Sequence, residues 1–77
     1  MHDRSHIQSE FARVIRHRST RAFFAAGDWT PDYEIADKFS DTFSVLKAHQ
    51  QHKLANVELV LVLGAEPTSY DIALPLD

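Results

Sequence analysis

The sequence predicts an α+β fold, a small antiparallel sheet with one main α-helix packed on one face; an extra N-terminal helix is an open alternative. Residues 57–63 form the strongest apolar run, with six apolar residues of seven, and they precede Gly64. Such a short run, ended by a turn residue, is typical of a buried strand. A mixed polar and apolar stretch from about Asp41 to Lys53 instead has the length and the flanking residues of a helix.

The strand predicted at 57–63 has no side suited to water. Successive side chains of a strand point to opposite faces, and here both sets are mostly apolar. One face holds Val57, Leu59, Leu61 and Leu63, and the other holds Glu58, Val60 and Val62. Burying one such apolar side chain stabilises a fold by roughly 1.5–3 kcal/mol, so we expect a layer on each face.

The N-terminal segment fits two structures. Ile7, Phe11, Val14 and Ile15 recur at helical spacing, which favours an amphipathic helix. The competing interpretation is a strand over 11–18, in which apolar and polar residues do not separate cleanly between the two faces. Residues 1–8 are polar, and we expect them to be frayed.

The middle of the chain predicts a second strand and a loop. Residues 21–26 contain a short aromatic and apolar run, and Gly27 and Pro31 punctuate a loop around Trp29. Residues 33–39 fit a helical turn or a short strand, and the possible strand is predicted at 35–39.

The main helix is predicted to begin after Ser40 as its N-cap, with Asp41 in the first turn, where a carboxylate is favourable. We expect Phe43 and Leu46 to pack on the sheet. The last strand is predicted at 69–75, after a five-residue connection, with Pro75 at its end or on an edge because proline cannot donate to a ladder.

Length and composition exclude several classes of protein. The 77 residues correspond to a single domain, 1–77, and the formal charge of −3 argues mildly against non-specific nucleic-acid binding. The chain has no Cys, so it has neither disulfides nor a thiolate zinc site. No apolar run approaches the roughly 20 residues of a membrane span, and no signal peptide is recognisable. These features predict a cytoplasmic protein that does not contact membranes.

The pattern across residues 11–63 also suggests a family. An aromatic pair precedes the segment from Gly27 to Asp32, and Ala36, Phe39, a capped helix and Val57-Glu58-Leu59-Val60 follow. This pattern resembles small bacterial proteins of no known activity that carry a Gly-Trp-Thr-x-Asp segment, Ala-x-x-Phe, a helix and Val-Glu-Leu-Val. The resemblance implies one helix on a sheet and a strand, rather than a helix, over 11–18, paired with 21–26.

Four arginines lie within nine positions, around His17. A basic cluster of this kind can track phosphates, with Trp29 and the neighbouring Phe residues available to stack bases. The more ordinary interpretation is a solvated turn that pairs with the acidic residues between 28 and 41. The weak candidate binding residues are Arg13, Arg16, Arg18, Arg21 and Trp29. For Trp29 we expect capping of the sheet end rather than a pocket.

Histidine spacing does not predict a metal site. His49 and His52 lie three apart on the predicted helix, and His2 and His6 lie four apart near the start of the chain. A zinc site needs three or four ligands, and no third ligand is evident on that helix. We expect no metal, no cofactor and no catalytic residues.

These observations predict a small non-catalytic protein-interaction or adaptor domain. With the helix on one face of the 57–63 strand, the other face would be bare, to be covered by the N-terminal segment or by a second copy. We favour the second copy, a homodimer, because a large exposed apolar patch usually marks an interface. The alternative function is a nucleic-acid-associated module that uses the cluster from Arg13 to Arg21.

Overall fold

A computed structural model of the chain describes residues 11–77, which form one antiparallel five-stranded sheet and one helix. The strand order is β3-β2-β1-β4-β5. The elements are β1 (Ala12–His17), β2 (Phe23–Ala25), β3 (Asp28–Thr30), α1 (Thr42–Gln51), β4 (Val57–Val62) and β5 (Ile72–Pro75). The helix packs against the sheet, so the predicted α+β class is confirmed. The predictions for residues 1–10, including the Ile7 end of the helical alternative, lie outside the described residues.

Strand β1 occupies the centre of the sheet, where it pairs with β2 and β4. Its register with β4 runs without interruption from Ala12 opposite Val62 to His17 opposite Val57. Val14 and Ile15 are adjacent in sequence and are both fully buried, one on each face. Burial on both faces explains why no alternation was visible here, and the helical interpretation of 11–15 is wrong.

A tight hairpin joins β2 to β3, where the sequence predicted a loop around Trp29. Phe24 lies opposite Trp29, and the two turn residues, Ala26 and Gly27, have φ of 49° and 85°. Two successive positive φ values are typical of the type I′ turn, which matches the twist of the flanking strands. With only three residues, Asp28–Thr30 is too short to show a recognisable strand pattern.

Residues 35–39 do not form a strand. A turn is closed by N–H groups of Ile35 and Ala36, which donate to the carbonyls of Asp32 and Tyr33. Sheet pairing in this segment is limited to one isolated bridge, between Phe39 and Arg13. The helical-turn alternative is therefore closer to the observed conformation.

The N-cap of α1 is Asp41, not Ser40. The Asp41 Oδ1 atom accepts the backbone N–H of Ser44 at 2.8 Å, which satisfies one of the donors at the start of the helix. Hydrogen bonding by Ser44, first through its backbone, lowers the pKa of Asp41 below its usual value. The predicted extent of 41–53 is therefore correct to within about two residues, in line with the usual uncertainty of helix ends.

The helix packs on the sheet through Val45 and Ala48, not through Phe43 and Leu46 as predicted. Phe43 is 73% exposed and Leu46 is 48% exposed. Residues three apart share a helix face, whereas residue 43 lies about 160° around the helix from residue 45. Apolar character alone therefore did not identify the buried side of this helix.

Both faces of the sheet carry a core, and β4 contributes to each. The core on the helix side contains Ile15, Phe24, Val45, Ala48, Val57 and Leu59. The core on the opposite side contains Val14, Phe23, Ala36, Val60 and Val62, with Ala12 and Tyr33 packed against it. Val60 and Val62 are 0% exposed. The expectation that this second face of β4 is bare is wrong, because the turn of residues 33–36 contributes to its cover.

The turn at Ala26 gives a first prediction. Most residues other than Gly are disfavoured at positive φ, but Asn tolerates this conformation through local hydrogen bonds of its side chain, and Asn-Gly is the preferred type I′ pair. We expect Ala26→Asn to raise the free energy of unfolding by about 0.5–1 kcal/mol in urea denaturation. Ala65→Asn, at an exposed loop position without positive φ, is the matched control and should change little. Equal effects at the two positions would contradict this account of the turn.

Candidate functional site

The four arginines of the sequence cluster do not form one surface. Arg13 lies opposite Leu61, on the helix side of the sheet, and Arg16 lies opposite Glu58, on the other side. Strand alternation therefore divides the cluster between two faces.

Arg13 and Arg18 contact loop backbone. The Arg13 Nη1 atom donates to the carbonyl of Ser40 at 2.9 Å, beside the start of α1. The Arg18 Nη1 atom donates to the backbone oxygen of Asp77 at 3.4 Å. Each of these hydrogen bonds connects one end of β1 to a residue that is distant in sequence.

Arg16 and Arg21 both contact the carboxylate of Glu58. The Oε2 atom of Glu58 lies 2.8 Å from Arg16 Nε and 3.3 Å from Arg21 Nη1. The side chains of Arg16 and Glu58 are each 12% exposed, and that of Arg21 is 60% exposed. We call these three residues the arginine–glutamate triad. The sequence predicted carboxylates between 28 and 41 as partners, and only the β1–β4 register identifies Glu58 instead.

An open pocket of about 540 Å³ lies beside the triad, on the side of the sheet away from α1. Its wall is formed by the two arginines, by β5 and by the β4–β5 loop. The lining residues are Arg16, Arg21, Pro67, Thr68, Ser69, Asp71 and Ala73. We call this space the arginine pocket.

Asp71 holds the loop that forms the far wall of the arginine pocket. Its Oδ1 atom accepts the N–H of Leu63 at 3.1 Å, and its Oδ2 atom accepts the N–H of Thr68 at 2.8 Å. The Asp71 N–H donates in turn to the carbonyl of Thr68. One carboxylate therefore closes the loop onto the end of β4.

Tyr33 packs over the same face of the sheet. Its ring makes an edge contact with Phe23 at 5.6 Å between centroids, and Lys38 Nζ lies 4.3 Å from the ring centre. Partial burial, followed by the negative charges of Asp71 and Glu34, raises the pKa of Tyr33 above its usual value.

Trp29 lies in an aromatic group on the helix side of the sheet. Its ring makes edge contacts with Phe24 at 5.7 Å and with His17 at 5.4 Å between centroids. Phe24 also contacts the ring of His52 at 4.9 Å. This geometry suits packing over the end of the sheet, and Trp29 does not line the arginine pocket.

The histidines within residues 11–77 do not converge on an ion. In this part of the chain no group of three His, Cys, Asp or Glu side chains is placed to hold a metal. The Nε2 atom of His49 is buried without a hydrogen-bond partner among the described residues. His2 and His6 lie outside the described part.

Several large apolar side chains remain exposed on the helix side. Leu63 is 43% exposed, Ile72 is 48% exposed and Leu74 is 49% exposed. Ile72 lies opposite Leu61 and Leu74 lies opposite Leu59, so both side chains point to the face that α1 covers only in part. We call Leu63, Ile72 and Leu74 the apolar surface. The sequence did not single out this surface.

Comparison with known proteins gives no relatives. No protein-family model, no curated protein and no solved structure matches this chain. The resemblance to small bacterial proteins therefore stays a prediction. Among the helices of the described residues, none has the length and apolar character to cross a membrane.

Asp77 gives a prediction about acid stability. Its carboxylate accepts the N–H of Asn56 at 2.6 Å and that of Val57 at 3.1 Å, and these bonds lower its pKa from 3.8. The unfolded carboxyl thus takes up its proton at a higher pH than the folded one. Its stabilising contribution is complete above pH 3.8 and is lost as the pH falls through the lower folded value.

We therefore expect the unfolding free energy of Asp77→Asn to fall less than that of the unmodified chain between about pH 4 and pH 2, as measured by urea denaturation. Glu66→Gln, which removes an exposed loop carboxylate, is the control and should keep the original pH dependence. An unchanged slope in Asp77→Asn would contradict the assigned hydrogen bonds.

Proposed function

We propose that this chain is a small non-catalytic protein-interaction domain that self-associates through the apolar surface and the free edge of β5. The observation that carries the proposal is the exposure of Leu63, Ile72 and Leu74, each close to half exposed on one side of the sheet. Single exposed apolar residues are normal in monomers, but a contiguous group usually marks an interface.

The backbone of β5 supports a second copy as the occupant. The Leu76 N–H donates to the carbonyl of Val57 at 3.0 Å, which fixes the alternation of the β4–β5 ladder. Ile72 and Leu74 therefore direct their backbone groups toward β4, and Ala73 directs its N–H and carbonyl outward. An edge of this kind can pair with an identical antiparallel edge.

A two-fold axis beside Ala73 would pair the backbone edges of two β5 strands and would also cover the exposed apolar side chains. The two Ala73 residues would exchange a pair of backbone hydrogen bonds. Ile72 of each copy would then lie opposite Leu74 of the other, so the exposed apolar side chains cover each other. Pro75 has no N–H, so the ladder between the two copies ends beside it. The assembly closes as a dimer because a two-fold contact uses the β5 edge of each copy once.

The arrangement of the arginines gives less support to nucleic-acid binding. Phosphate tracking needs a continuous positive face, whereas here Arg13 and Arg16 point to opposite sides of the sheet. Glu58 also neutralises part of the charge of Arg16 and Arg21. The alternative function and the cytoplasmic location stay predictions.

Light scattering at high micromolar concentration tests the proposal. We expect twice the 8.8 kDa mass of one chain, and a single-chain mass for Leu74→Lys, because a charge would be buried at the centre of the contact. Ile35→Lys is the matched control, since Ile35 is also exposed but lies on the turn that covers the other face. A single-chain mass for the unmodified protein would refute self-association.

Disulfide trapping tests the register. The chain has no Cys, so the double variant Ile72→Cys with Leu74→Cys should form a covalent dimer under mild oxidation. Asp28→Cys with Thr30→Cys places the same spacing on β3, at the other edge of the sheet, and should remain a monomer. Equal cross-linking of both variants would exclude the β5 contact.

A further inference from the structure

We propose that the arginine pocket binds one small oxyanion, a phosphate or a carboxylate, through the guanidinium groups of Arg16 and Arg21. The pocket lies on the side of the sheet away from the apolar surface, so this inference goes beyond self-association and does not depend on it. It rests on hydrogen-bond donors, on charge and on the backbone of Arg21.

Arg16 and Arg21 each have N–H donors at the pocket that make no hydrogen bond within residues 11–77. Arg16 contacts Glu58 through Nε, and Arg21 contacts it through Nη1. A guanidinium carries five N–H donors, and no acceptor among residues 11–77 takes those that remain. Both side chains line the pocket, as do the hydroxyl-bearing residues Thr68 and Ser69. Guanidinium groups bind oxyanions in bidentate geometry.

The arginine–glutamate triad carries a net positive charge. Two positive guanidiniums meet one carboxylate at a single oxygen, Glu58 Oε2, and Arg16 and Glu58 are almost buried. The carboxylate of Asp71 on the far wall balances this charge across the pocket, so the positive charge lies on the arginine side. An anion bound there would pair with the guanidinium groups directly.

The backbone of Arg21 has a positive φ, as do those of Ala26, Lys53 and Asn56 elsewhere in the chain. Arg21 has φ of 69°, a conformation that Gly adopts freely and that a residue with a Cβ rarely does. Its contact with Glu58 is 3.3 Å long and its side chain is 60% exposed, so this ion pair adds little stability. Strained residues that folding does not require are concentrated at binding sites.

The far wall of the pocket restricts the ligand. Asp71 lies there with both carboxylate oxygens already accepting backbone N–H groups. This carboxylate disfavours a polyanion, which would extend across the pocket, and it leaves the arginine side for one small oxyanion.

The test is a nuclear magnetic resonance titration of the full chain at constant ionic strength, once with inorganic phosphate and once with acetate. We expect saturable shifts of the Ser69 and Asp71 amides and of the Nε–H groups of Arg16 and Arg21. Arg21→Gly should weaken binding by roughly tenfold or more, because it removes charged hydrogen bonds. This variant should fold at least as well as the unmodified chain, since Gly suits the positive φ.

The matched control is Arg18→Ala, which removes an exposed arginine outside the pocket and should bind as the unmodified chain does. Tighter binding of phosphate assigns the pocket to phosphate, and tighter binding of acetate assigns it to a carboxylate. Shifts that grow without saturating, or equal affinity in Arg21→Gly and the unmodified chain, would overturn the proposal. Light scattering on Arg21→Gly separates the two proposals, because the dimer should persist when anion binding is lost.

Discussion

The structure depends on the burial of β4 on both of its faces. Val57 and Leu59 lie beneath α1, and Val60 lies in the core of the opposite face with Ala36. A chain of 77 residues has few elements with which to cover two faces of one strand. One helix serves the first face and an irregular turn contributes to the cover of the second. The strand pairs with β1 along its whole length, and this pairing brings the two cores together.

Glu58 is the one polar residue of β4, and its position determines where the ion pairs with Arg16 and Arg21 form. Because the register places it opposite Arg16, its carboxylate is paired although it is nearly buried. A buried charge without a partner would cost much more than the ion pair gains, so the pair specifies the register as much as it stabilises it. Arg21 reaches the same carboxylate from the β1–β2 connection. The arginine pocket is therefore a consequence of the strand pairing.

The sequence could predict the elements that local pattern determines. The apolar run at 57–63 and the helix after Ser40 were found within about two residues. The elements determined by distant contacts could not be predicted. The three residues of β3 are a strand only because β2 lies beside them, and the helix buries Val45 and Ala48 because of what lies beneath it. The pairing of Arg16 with Glu58 spans 42 positions. No local sequence pattern predicts which residues face each other across two strands that are so far apart in the chain.

Alanine substitution on the two faces of β4 tests the central claim most directly. Val57 and Val60 are both 0% exposed, one beneath the helix and one on the opposite face, whereas Ile35 is 61% exposed and serves as the reference. Removing a fully buried branched side chain costs its transfer free energy and leaves a cavity, so each Val→Ala change should lower the free energy of unfolding by about 2–3 kcal/mol. A Val60→Ala variant within about 0.5 kcal/mol of the unmodified protein, beside a costly Val57→Ala, would contradict a strand buried on both faces.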